Sequence, residues 1–185
     1  DHIDLDIKLK QATFKEFQIK SYFLSICRIE PENNISMILE AFSRVSSCNI
    51  VFIGNWNNSK YGKNLKEKYG AFSNIYLLDP VYDQAELNFY RSGCSGYVHG
   101  HSAGGTNPSL VEAMYFSKYI ICFDCNFNRY TTDNKALYFE DEPSLVEIIK
   151  SSSIESVDQT SLHKIAMERY NWKTVSNAYF KLFKS

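Results

Sequence analysis

Apolar and polar positions alternate along the chain in short blocks. YFLSICR (22–28), NIVFIG (49–54), NIYLLD (74–79), SGYVHG (95–100) and YIICFD (119–124) are nearly continuous apolar runs bounded by polar residues or glycine, and ALYF (136–139) is a shorter sixth. Runs of this length and continuity predict strands buried on both faces. The segments between them carry helical periodicity or helix signals. In 34–45, Ile35, Ile38, Leu39, Phe42 and Val45 fall on one face. Residues 60–70 predict a short basic helix stopped by glycine, and 83–93 opens with Asp83 and Glu86 in the capping-box pattern. A helix over 108–117 follows the fourth run, and helices over 143–152, 158–170 and 172–184 close the chain.

Strands alternating with helices of about 10 residues imply βαβ units. Right-handed crossovers leave few ways to arrange them. The expected fold is therefore α/β: a doubly wound, mostly parallel, six-stranded Rossmann-like sheet spanning residues 21–185. Ligands of such sheets bind at the carboxyl ends of the strands, near the point where strand order reverses. Residues 1–20 are polar without a clear strand and read as an interdomain linker with one helical turn.

Composition narrows the partners. The formal charge of −1 gives no electrostatic case for nucleic acid, and no apolar run reaches the ~18 residues of a membrane span. Five cysteines without a disulfide rhythm indicate buried thiols in a reducing compartment. Cys122 and Cys125 have C-x-x-C spacing, but no second pair completes a metal site, and Cys122 ends a strand where a redox motif would open a helix.

Chemistry concentrates after the fourth strand, in HGHSAGGTNPSLVEAM. Five of the chain's eight glycines lie within 93–105. Gly104 and Gly105 let backbone N–H groups approach a ligand. Thr106 or Asn107 caps the next helix, with Pro108 at its first position if Asn107 is the cap. The open N–H groups and dipole of that helix end favour an anion, so a phosphate fits; a tight turn with an ordinary cap is the competing reading. The spacing is neither G-x-G-x-x-G nor a P-loop. Arg28, at the end of the first strand, either offers a fork to a phosphate or pairs with Glu30 or Glu32. Glu112, one turn into the helix among apolar neighbours, suits two vicinal ribose hydroxyls or simply serves the helix dipole. His99 and His101 are open between hydrogen-bonding in the core, phosphate donation and base chemistry.

Taken in order, SICRIEPENNISMILEAF, IVFIGN, VYDQAELNFYRSGCSGYVHG, GGTNPSLVEAM and RYNWKTVSNAYFKLF resemble the C-terminal domain of GT-B glycosyltransferases of the family 4 type, above all bacterial rhamnosyltransferases of surface-polysaccharide synthesis. The resemblance covers about residues 20–184. It implies two facing Rossmann-like domains, of which this one holds a nucleotide-sugar donor. dTDP-rhamnose is the favoured donor, with UDP- or GDP-sugars as alternatives. A glycan or lipid-linked acceptor would bind an N-terminal domain that these residues lack. It further implies a transferase needing no cofactor or metal, cytoplasmic and peripheral at the inner face of the membrane, of about twice this length, with this part alone inactive. By position Arg28 matches the arginine facing the donor diphosphate, residues 104–107 match the segment meeting phosphates and sugar, and Glu112 matches the ribose-binding second glutamate of E-x7-E. Two positions depart: the usual lysine is Asn33, within the diphosphate set, and the first glutamate is Gly104. His101 or Ser102 would then supply what that glutamate supplies elsewhere. An NDP-sugar 2-epimerase half and a non-catalytic nucleotide-sugar module share the architecture and remain the rival readings.

Overall fold

The computed structural model describes residues 19, 21–116, 119–151 and 159–183. The strands are β1 (Phe23–Ile26), β2 (Ile50–Ile53), β3 (Ile75–Leu78), β4 (Gly96–His99), β5 (Ile120–Phe123) and β6 (Leu137–Phe139). They form one sheet in the order β3-β2-β1-β4-β5-β6, and every pairing is parallel. The helices are α1 (Ile35–Ser43), α2 (Lys60–Tyr69), α3 (Gln84–Gly93), α4 (Pro108–Phe116), α5 (Asn126–Thr131), α6 (Glu142–Lys150), α7 (Gln159–Arg169) and α8 (Trp172–Leu182). The doubly wound Rossmann-like sheet expected from the sequence is the sheet observed. The linker expected over 1–20 lies outside the described residues except for Ile19.

The period-2 alternation of each strand sorts its side chains between two cores. Phe23, Ile50, Phe52, Val98, Ile121 and Phe139 pack with residues of α1, α2 and α6. Leu24, Val51, Ile53, Tyr97, Ile120 and Cys122 pack on the other face with residues of α3, α4 and α7. Continuous apolar runs are what a strand buried on both faces requires. The buried Asn74 amide donates to the carbonyls of Phe42, Val45 and Cys48 at 2.9, 3.2 and 2.9 Å, satisfying the end of α1 as the chain enters β3.

Local signals set the helix ends. Gly70 caps α2, and Asp83 accepts from the Glu86 backbone N–H at 2.9 Å, the N-cap half of the expected box. A full box that the sequence reading missed forms at Asp141 and Ser144 of α6. Helix α5 and the 3-10 turn Pro31–Asn33 were also unanticipated. No helix among the described residues is long and apolar enough to cross a membrane.

Candidate functional site

Between β1 and β4 the sheet changes direction: the chain leaves β1 for α1 on one face and leaves β4 for α4 on the other. The loops that follow these two strands, 27–34 and 100–107, meet at this crevice. Asn34 sits in the left-handed region (φ 49°), and its Nδ2 donates to the Gly100 carbonyl at 2.8 Å. Ser102 donates through both its backbone N–H and its hydroxyl to the Glu32 carbonyl, each at 2.9 Å. Gly100 is pressed so closely on this turn that a Cβ there would stand 2.1 Å from the Asn33 carbonyl oxygen. Only glycine permits the approach.

Asn33 is buried and bonds in two directions. Its Nδ2 donates to the Arg28 carbonyl at 2.8 Å, so its Oδ1 is the acceptor facing His101 Nδ1, also at 2.8 Å. That assigns the proton of His101 to Nδ1. Nε2 lies toward the glycine loop, 3.7 Å from where a Cβ on Gly104 would be. On its other side the His101 carbonyl accepts from Asn128 Nδ2 of α5 at 2.9 Å. A neutral amide thus occupies the position where the resemblance leads one to expect lysine, and it serves as a spacer that orients a histidine.

Past Ser102 the loop opens. Residues 103–106 are exposed, Gly104 has φ +93°, and a Cβ on Gly105 would meet nothing within 4 Å. Asn107 caps α4: its Oδ1 accepts from the Ser109 N–H at 2.9 Å, and its carbonyl accepts from Leu110 and Val111. Of the two capping candidates Asn107 serves; the Thr106 hydroxyl lies 3.4 Å from that of Thr131 instead. The positive end of α4 faces this clear space, where an anion is stabilised.

Glu112 is one turn down α4, its side chain 48% exposed, and it is ion-paired with Arg91 Nη2 of α3. Arg91 was not anticipated. Its only sequence signal is its place four residues after Leu87, on the apolar side of α3. Arg28 is 76% exposed and lies 3.4 Å from Glu30, so the surface pair expected as its alternative role forms while the guanidinium stays accessible. Beside it a cavity of about 370 Å³ opens over the ends of β1, β2 and β3, lined by Cys27, Arg28, Gly54, Asn55, Val81 and Tyr82. Burial pushes the Cys27 thiol up to about 12, so it faces the cavity as an unreactive group. Tyr82 stands 90% exposed at its mouth.

The two histidines part company. His99 is buried, and burial, then the neighbouring His101, lowers its pKa to about 3. It is therefore neutral at ordinary pH and stacks on Tyr97. Its place in the core leaves His101 as the histidine that borders the open loop. Burial likewise holds the Cys122 thiol protonated, which removes the thiolate a C-x-x-C redox pair would need. Among the described residues no group of three or more His, Cys, Asp or Glu could hold a metal ion.

The loops after β1 and β4 thus meet at the switch point of a doubly wound parallel sheet, the place where α/β sheets of this kind bind their ligands. The chain belongs to the glycosyl transferases group 1 family, whose sequence profile matches residues 7–153. No curated protein matches it. Its fold is similar to that of the C-terminal domain of a glycosyl transferase group 1 family protein from Francisella tularensis (15% identity, TM-score 0.66, covering 88% of this chain and 93% of that one). It is similar also to S. aureus TarM solved with Fondaparinux, alpha-GlcNAc-glycerol and UDP (15%, 0.68, 90% and 36%). A third similar structure is a UDP-forming α,α-trehalose-phosphate synthase from Burkholderia vietnamiensis (10%, 0.72, 100% and 49%). The chain thus spans about a third to a half of the longer proteins and nearly all of the isolated domain.

Proposed function

We propose that these residues are the donor-binding part of a glycosyltransferase and hold a nucleoside diphosphate sugar. The observation carrying this is the exposed glycine segment 103–106, held between two interlocked loops at the N-terminus of α4. The donor diphosphate lies over Gly104, Gly105, Thr106 and Asn107, with Arg28 on the β1 side. The ribose reaches Glu112, and the base enters the cavity beside Arg28. In transfer, negative charge develops on the departing diphosphate as its bond to the sugar breaks, and Arg28 with the α4 terminus is placed to stabilise that charge. His101 Nε2, the acceptor nitrogen once Nδ1 carries the proton, is the group that would take a hydroxyl of the donor sugar. UDP bound to S. aureus TarM supports a diphosphate ligand. The resemblance of HGHSAGGTNPSL to rhamnosyltransferases favours dTDP-rhamnose, with a growing bacterial surface polysaccharide as acceptor and a cytoplasmic place beside the membrane.

The test is a thermal-shift series with dTDP, UDP and GDP against their nucleosides. One diphosphate should raise the melting temperature and its nucleoside should raise it less; a hundredfold excess over Kd corresponds to about 2.7 kcal/mol. Arg28→Ala should weaken the diphosphate and leave the nucleoside unaffected. Glu112→Gln should weaken both by about 1–3 kcal/mol. The same residues should transfer no sugar by themselves, because no acceptor is held against the donor. A failure of all three diphosphates to bind refutes the reading.

A further inference from the structure

Among the described residues Arg91 is a buried charge whose donors are largely unmet. Its side chain is 4% exposed, and its Nη2 meets Glu112 Oε2. Nε and Nη1 are buried with no hydrogen-bond partner among the described residues. A guanidinium with most of its donors unmet costs stability, and apolar residues of like volume commonly replace such buried pairs without loss. The surroundings are suited to that replacement: Tyr90, Leu110, Ala113, Met114 and Tyr97 form an apolar core around the same junction of α3 and α4. The pair is therefore a poor device for holding two helices together, and its value must lie in what it does to Glu112.

Glu112 is only half-buried, on a helix whose other residues nearby are anchored in the core. Left alone, its three side-chain torsions would sample many positions, and ordering them on binding would reduce affinity. Arg91 removes that freedom in advance. It approaches from the buried side and holds one carboxylate oxygen; the other has no partner among the described residues, on a side chain that reaches solvent.

The geometry points to Arg91 as the positioning residue of the ribose site, fixing the Glu112 carboxylate so that its remaining acceptor sites take the ribose hydroxyls of the donor nucleotide. This rests on the donor-binding reading above. Arg91 does not touch ligand; it acts through Glu112, and its effect is confined to the hydroxyls.

The experiment compares Kd for UDP, GDP and dTDP with Kd for their 3′-deoxy counterparts, on the 185-residue chain and on variants. The unaltered chain should prefer the hydroxylated form by about tenfold or more, the value of one hydrogen bond to a charged group. Arg91→Met should cut that preference to below about threefold, while the separate preference of diphosphate over nucleoside stays as it was. Arg91→Lys should restore part of it. Combined with Glu112→Gln, Arg91→Lys should cause no further loss. A merely structural ion pair would lower stability and all affinities together without touching the hydroxyl preference. An unchanged hydroxyl preference in Arg91→Met, with Glu112→Gln abolishing it, overturns the role of Arg91 and spares that of Glu112. Should Arg91→Met not fold, additive losses in the Arg91→Lys and Glu112→Gln pair overturn it equally. A Glu112→Gln chain that keeps the full preference, or a chain that binds none of the three diphosphates, refutes the ribose site and this proposal with it.

Discussion

The loop after β4 consists of two halves built on opposite principles. Residues 100–102 are wired into their surroundings: the Gly100 carbonyl accepts from Asn34, the His101 ring meets Asn33, its carbonyl accepts from Asn128, and Ser102 donates twice to Glu32. Residues 103–106 are exposed, and at Gly105 even a methyl group would touch nothing. The first half is a frame and the second an open cradle suspended from it at one end and capped by Asn107 at the other. A site that must bind a strongly hydrated anion needs both. On the proposed reading, the frame would hold the N–H groups of the cradle in place before a ligand arrives, so that less ordering is left for binding to supply.

The frame is where substitution should cost most. Gly100→Ala places a Cβ 2.1 Å from the Asn33 carbonyl oxygen and 2.8 Å from Ile38 Cδ1, so the two loops must separate. Backbone cannot yield as a flexible side chain does, and we expect a loss of about 3 kcal/mol in urea unfolding. A loss under about 1 kcal/mol would mean that the interlock yields easily and the frame is not rigid.

A smaller effect should come from pH. His99 sits in the last position of β4, directly before the frame, with its pKa lowered to about 3 by burial and by His101. The unfolded chain binds the proton near the ordinary ~6.5, so below that pH the unfolded state gains protons that the native state refuses. The stability contribution is full above about pH 6.5 and is lost as pH falls toward 3. Between pH 7 and 5 the loss should be about 2 kcal/mol. Glu40, Asp124 and Asp141 have lowered pKa values, Glu40 through Tyr69 and Lys68, Asp124 through Arg129, Asp141 through Ser144. Their contributions are lost below the ordinary carboxylate range of about 4, so the window from pH 7 to 5 lies clear of these carboxylates. His99→Leu should flatten the slope there; an unflattened slope would assign it to another group.

The frame and the cradle were not equally legible in the sequence. The six strands, their alternation with helices and the cap and proline that open α4 could be read because they rest on local signals within a few residues: apolar runs, Asn107 and Pro108. The frame could not, because its bonds join residues 27 to 70 positions apart, as between His101 and Asn128, Asn34 and Gly100, or Glu32 and Ser102. Asn33 looked like the loss of a cation, and only its bond to His101 shows it as a support. Helix α5 escaped for a related reason. NFNRYT has no helical stripe, the Cys125 side chain does not cap it but donates to the distant His101 carbonyl, and Asn128 ties it to that same carbonyl and to that of Phe123. Arg91 and Glu112 are 21 positions apart on separate helices, and no spacing rule links them.

The smallest effect on stability should come from the cradle, and it separates the two halves most sharply. At Gly105 an added Cβ meets no atom within 4 Å, and this residue, unlike Gly104, has no left-handed φ to strain. Gly105→Ala should therefore change stability by less than about 0.5 kcal/mol, and reduced freedom of the unfolded chain even favours it slightly. The same methyl stands where a diphosphate would approach the backbone. Calorimetry with the diphosphate that binds should show weaker affinity, with the nucleoside unaffected, and Gly105→Val should deepen the loss. Stability and affinity thus part at Gly105 and fall together at Gly100. An alanine at Gly105 that leaves both unchanged would show that the ligand does not lie over this segment, and the diphosphate would have to be placed elsewhere along the crevice.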